Sequence, residues 1–134
     1  MKQIKTAIAS AKPLRGFTLI ELLVVLAIVA LLLTLAVPRY FQSIDSTKET
    51  ILIENLRITR ETIDKFYGDT GRYPESLEDL VEKKYLRAIP ADPITDSMTT
   101  WIIVPPDDTS KGNVYSIKSG ASGNTKEGKP FSEL

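Results

Sequence analysis

The sequence predicts an α+β fold in which one long N-terminal helix, first transmembrane and then amphipathic, packs on a small C-terminal antiparallel β-sheet. Three observations carry this. An apolar run from Phe17 to Val37 contains no turn residue, and an apolar repeat at three- and four-residue spacing follows it from Phe41 to Phe66. Beyond Gly71 the pattern changes to short β-branched segments divided by proline, glycine and aspartate. A chain of 134 residues has room for one small domain besides the apolar run.

The first 16 residues carry Lys2, Lys5, Lys12 and Arg15 and no acid. The chain has 17 basic and 17 acidic residues, so the part after Gly16 has 13 basic against 17 acidic. That mildly acidic body argues against nucleic-acid binding. Cysteine and histidine are both absent, which excludes disulfides, thiolate chemistry, imidazole acid-base catalysis and most zinc sites.

Of the 21 residues from Phe17 to Val37 only Thr18, Glu21 and Thr34 are polar. As a helix they would span about 31 Å, close to the hydrocarbon thickness of a bilayer. Ile20, Val24, Val25, Ile28 and Val29 favour strand locally, but the uninterrupted length decides for helix. With all nearby positive charge ahead of the run, the N-terminus is expected in the cytoplasm and the remainder exported. Glu21 is the oddity. A carboxylate at bilayer depth costs about 2.5 to 3.5 kcal/mol, so it calls for a partner. Arg15 and Arg39 lie only at the two ends of the run, and snorkelling to the headgroups is the simplest alternative.

Pro38 ends the purely apolar part and is expected to kink the helix rather than stop it. The repeat Phe41, Ile44, Lys48, Leu52, Leu56, Thr59, Ile63 and Phe66 carries the helix to about Tyr67, where Gly68 and Gly71 should close it. Its other face bears Asp45, Glu49, Glu54, Arg57, Arg60, Glu61 and Asp64, expected to be solvated or to contact other subunits. "YPESLEDLVEKKYL" is expected to form a short helix starting near Pro74, with Leu77, Leu80, Val81 and Leu86 inward. Pro90 and Pro93 break the next connection around Asp92. "TTWIIV" and "NVYSIKS" read as an antiparallel hairpin, and the glycine-rich tail as loop with a short last strand at Phe131.

"KPLRGFTLIE", residues 12 to 21, resembles the processing site of class III signal peptides, found in type IV pilins and type II secretion pseudopilins. The resemblance implies three regions: a leader over 1–16, a transmembrane and assembly helix over 17–38, and a periplasmic globular domain over 39–134. It implies cleavage between Gly16 and Phe17 by prepilin peptidase, with N-methylation of Phe17. Glycine before the cut is physically sensible, because it offers no side chain to clash in a cleavage groove. The new α-amine, with an ordinary pKa of ~8, would then meet Glu21 of a neighbouring subunit in an apolar filament core. "GRYPESLEDLVEKKYLRAIPADPITD", followed by Trp101 and "VYSIKSG", further resembles the major, G-type pseudopilins.

What the family resemblance implies is a homopolymer in the bacterial inner membrane, assembled with minor pseudopilins on a platform worked by a cytoplasmic ATPase. The resulting periplasmic filament would drive protein export. A type IV pilus pilin serving adhesion, motility or DNA uptake is the nearest alternative, and a monomeric membrane-tethered binding domain a further one. An ordinary signal peptide cut after "TLA", residues 34 to 36, and an uncleaved anchor compete at the N-terminus. G-type pseudopilins commonly bind calcium in the C-terminal loop, which requires six to eight oxygens. Here only Glu127 and Glu133 are acidic beyond Gly120, leaving Asp92, Asp96, Asp107 and Asp108 as weak candidates from elsewhere. No other cofactor is expected.

"DTG", residues 69 to 71, matches the catalytic loop of aspartic proteases in letters only, since it follows an amphipathic helix and lacks apolar flanks. With no phosphate loop, nucleophile elbow or metal-ligand spacing, no catalytic residue is assigned and the chain is not expected to be an enzyme.

Overall fold

In the computed structural model of the protein, residues 2–3 and 13–134 are described, so most of the leader expected over 1–16, including Lys5 and Lys12, lies outside the described residues. The architecture is α+β, with a long first helix and one two-stranded antiparallel sheet. The chain divides into two compact units, Met1–Arg39 and Tyr40–Leu134.

Helix α1 is assigned continuously over Leu19–Thr70, with Pro38 inside it. Proline forfeits one backbone hydrogen bond, and a helix continues past it when flanking residues keep helical geometry. In the first unit every helical residue is exposed, including 14 large apolar side chains from Leu19 to Val37 such as Leu22, Leu26 and Leu33.

In the second unit, Leu52, Leu56, Thr59, Ile63 and Phe66 form the buried stripe of α1 at helical spacing. Three expected members fall outside it, Phe41 and Lys48 exposed and Ile44 half-buried, because close packing begins at Leu52, one turn beyond Lys48. The helix also ends later than expected. Gly68 lies within it, and Gly71, with φ +72°, takes the left-handed conformation that stops it while its N–H donates to the Tyr67 carbonyl at 2.8 Å.

Helix α2 spans Leu77–Glu82. Ser76 caps it, its hydroxyl accepting from the Asp79 N–H, while Asp79 Oδ2 accepts from the Glu75 N–H. Leu77 and Leu80 are buried; Val81 and Leu86 are half-buried at the margin. Strands β1 (Ile102–Val104) and β2 (Ser116–Lys118) pair antiparallel, Ile103 opposite Ile117, as the hairpin expectation had it but over fewer residues. The flanking residues have other partners. Trp101 is turned into the core with its indole N–H donating to the Pro90 carbonyl at 2.8 Å, and the N–H groups of Asn113 and Val114 both donate to the Pro74 carbonyl. The strand expected at Phe131 is a 3-10 turn, Phe131–Glu133, which drops the Phe131 ring into the core beside Val114, Ile117 and Ala121.

Gly112 sits at a close approach of two backbone segments. Its φ is +122°, and a Cβ there would lie 2.2 Å from the Tyr73 carbonyl oxygen, which is backbone and cannot step aside. Gly112→Ala is therefore expected to cost about 2 to 4 kcal/mol in denaturant unfolding of the full chain. Gly128→Ala, with positive φ but open space, should cost only about 1 kcal/mol, from backbone strain alone. Equal costs at the two positions would contradict the close approach.

Candidate processing and assembly site

Residues 13–18 have no regular secondary structure and are exposed throughout. Among the described residues nothing comes within 4 Å of the position a Cβ would take at Gly16, and Phe17 is 87% exposed. The Gly16–Phe17 peptide bond is thus an exposed, non-helical bond just ahead of a helix.

Thr18 fixes where the helix begins. Its carbonyl accepts the first intrahelical bond, from the Leu22 N–H at 3.1 Å, and its hydroxyl accepts from the Glu21 N–H at 3.2 Å. That is an N-cap, and the Thr-x-x-Glu spacing is the sequence signature of a capping box, a signal legible in "TLIE" that attention to the carboxylate alone passes over. Glu21 consequently stands in the first turn, at the positive end of the helix dipole. Its side chain is exposed, and no ion-pair partner for it occurs among the described residues. The helix beyond it is long and apolar enough to cross a membrane.

The four aspartates proposed as calcium candidates do not converge. Asp92 is fully buried; its Oδ1 accepts from the N–H groups of Ile94 and Thr95, and its Oδ2 accepts from the Ser119 hydroxyl at 2.5 Å. Asp96 is exposed, with φ +54°. Asp107 is exposed, and Asp108 caps a 3-10 turn, Thr109–Lys111, where the Ser110 hydroxyl and N–H hold its carboxyl below the usual range. No group of three or more metal-ligating Asp, Glu, His or Cys side chains occurs among the described residues.

The charged face of α1 behaves mostly as expected. Arg57 pairs with Glu54 at 2.5 Å and Glu61 at 2.7 Å on the exposed surface, which holds the Glu54 carboxyl below its usual range; such pairs add little stability. Arg60 departs from the expectation. Its guanidinium reaches inward to donate to the carbonyls of Ile117 and Leu134, tying β2 and the tail to the helix. No local sequence signal marks it, since its partners lie 57 and 74 residues away.

Residues 13–37 match the family described as the prokaryotic N-terminal methylation motif. The chain is also similar to the type II secretion system core protein G of several bacteria. Identity with the Pseudomonas aeruginosa protein is 32% over 94 residues, covering 58% of this chain and 66% of that protein. Identity with the Klebsiella pneumoniae protein is 30% over 95 residues, covering 59% of this chain and 68% of that protein. The Escherichia coli protein is 28% identical over 95 residues, with 59% and 66% covered. The chain thus spans about two thirds of the length of these relatives. No solved structure matches it significantly.

Proposed function

The chain belongs to the type IV pilin-like family of major pseudopilins represented by type II secretion core protein G, and from that premise we propose that it is the structural subunit of a periplasmic pseudopilus. It is made as a precursor anchored in the inner membrane by residues 17–38, with its N-terminus cytoplasmic and residues 39–134 periplasmic. Prepilin peptidase cuts between Gly16 and Phe17 and methylates the Phe17 amine. The mature subunits polymerise, Glu21 of one pairing with the Phe17 amine of another, on a platform that also takes minor pseudopilins. A cytoplasmic ATPase extends the filament, which drives protein export. The subunit itself catalyses nothing.

The observation that carries this is the junction at residues 16–21. An accessible peptide bond leads directly into a capped helix whose apolar first part, residues 19–37, is uncovered and carries a single acid, one turn from the amine that cleavage would create. In the second unit the small sheet and α2 cover the stripe from Leu52 to Phe66, whereas the apolar side chains of the first unit are exposed and need lipid or other subunits around them.

The test is intact mass and N-terminal sequencing of the protein from its native membrane. A chain beginning at methylated Phe17 is expected. One beginning at Met1, or after Ala36, would overturn the filament assignment. Deletion then separates the two kinds of filament: loss of enzyme secretion marks a pseudopilus, and loss of twitching or surface fibres marks a pilus.

A further inference from the structure

The C-terminal loop is the part of this family expected to need a cation, and its donor set here does not suit one. Calcium takes six to eight oxygens, several of them carboxylate. Between Gly120 and Leu134 the only carboxylates are Glu127 and Glu133, both exposed, and the oxygens of buried Asp92 are already engaged by two backbone N–H groups and Ser119.

The loop is nevertheless held closely. At its start, the Ser119 hydroxyl binds Asp92 and accepts from the Ala121 N–H, with all three residues buried. In its middle, the Thr125 N–H donates to the Lys129 carbonyl and the Gly128 N–H to the Thr125 carbonyl, making a tight turn beside the Asn124 and Pro130 bridge. At its end Phe131 is buried, and Arg60 binds the Leu134 carbonyl. What joins the tip of the turn to α1 is Lys126. Its backbone N–H donates to Glu49 Oε1 at 2.9 Å, and its ammonium reaches the Gln42 carbonyl at 2.8 Å. Gln42 and Glu49 are seven positions apart, two helical turns, so one lysine bridges two turns of the helix. Asp45, Lys48 and Glu49 line the cleft around it.

We propose that this loop closes without a divalent cation, and that Lys126 fastens the 124–130 turn to α1, its ammonium, a positive charge built into the chain, at the Gln42 carbonyl and its backbone N–H at the Glu49 carboxylate. This goes beyond the filament assignment and does not rest on it, since every contact is within one chain.

The test uses the full chain in detergent micelles, with hydrogen exchange of residues 120–134 and thermal unfolding recorded in calcium chloride and in EGTA. Wild-type protein is expected to unfold within about 1 °C of the same temperature in both, the result for a ligand that does not bind the folded state. Lys126→Met is expected to speed exchange of the 124–130 amides by about 2- to 5-fold, the effect of losing one exposed charged hydrogen bond, with calcium restoring nothing. A calcium-dependent rise in the wild-type unfolding temperature would overturn the proposal. So would a Lys126→Met loop that exchanges like wild type, or one that calcium re-protects. The wild-type calcium arm needs no variant, so a failure of Lys126→Met to fold would leave the proposal still falsifiable.

Discussion

Glu21→Ala is expected to be cut after Gly16 like the parent chain, to insert in the membrane, and to form no filament. The cleaved bond lies five residues upstream, and alanine keeps the backbone N–H that Thr18 caps, so the start of the helix survives the change. What is lost is the carboxylate. Its favourable interaction with the helix dipole is worth about 0.3 to 1 kcal/mol, too little to offset an insertion cost of about 2.5 to 3.5 kcal/mol. A partner must supply the difference, and in the proposed filament that partner is the Phe17 amine of a neighbouring subunit. Removing one member of a desolvated pair strands the other charge at a cost of about 3 to 5 kcal/mol per contact. That corresponds to about a hundred- to a few thousand-fold in each subunit addition, enough to stop polymerisation. Sheared-filament yield and mass of the processed subunit measure the two arms together. Thr18→Val is the informative comparison: it removes the cap at about 1 kcal/mol, and filaments should persist. Wild-type filament yield from Glu21→Ala would show that the carboxylate merely snorkels.

Asp92→Ala is expected to destabilise the second unit, Tyr40–Leu134, by about 3 to 5 kcal/mol, among the largest effects a single substitution produces. The side chain is wholly buried and closes the proline-broken connection upon itself by accepting from the Ile94 and Thr95 N–H groups, while Ser119 ties the same carboxylate to the residue after β2. Alanine leaves three donors in the interior without an acceptor, each worth about 1 to 3 kcal/mol if not rehydrated. Asp92→Asn keeps one carbonyl acceptor and the side-chain volume, so it should cost roughly half as much. Urea unfolding of the full chain in detergent reads both. An Asp92→Ala cost below about 1 kcal/mol would mean that water reaches the site and that the network contributes little.

How much of this was legible in the sequence depended on the range over which each residue acts. The membrane-length helix and the stripe Leu52, Leu56, Thr59, Ile63 and Phe66 follow from local periodicity, and the structure has both. Phe41 and Lys48 continue the same spacing yet are exposed, because spacing gives a direction around the helix and says nothing about where the covering domain ends. Gly68 was expected to stop the helix, but only Gly71 adopts positive φ; one glycine inside a helix costs about 1 kcal/mol and can be carried by packing. The strands shrink because Trp101, Asn113 and Val114 are claimed by Pro90 and Pro74, partners from another part of the chain. Asp92 reads as a turn residue in "PADPITD", and it does make that turn. Its burial depends on Ser119, 27 residues on, which no local pattern announces. At the candidate site, the resemblance of "KPLRGFTLIE" to class III processing sites pointed to the Gly16–Phe17 bond and to Glu21, whereas the cap at Thr18 required asking what starts the helix.

The order in which the domain can become whole follows from who closes it. Leu52, Leu56, Ile63 and Phe66 come early in the second unit, while the side chains that cover them, Val114, Ile117 and Phe131, come last, and the hydrogen bonds tying α1 to the C-terminal region span 57 to 84 residues. A chain crossing a membrane from its N-terminal side would present that greasy stripe to the far compartment before its cover has emerged. Loops of this length close slowly, and uncovered apolar surface invites association with other chains in the meantime. For a protein whose first helix already lies in lipid, the bilayer surface is the nearest shelter for that interval, so the anchor would serve the nascent chain as a holding place before it serves the finished one.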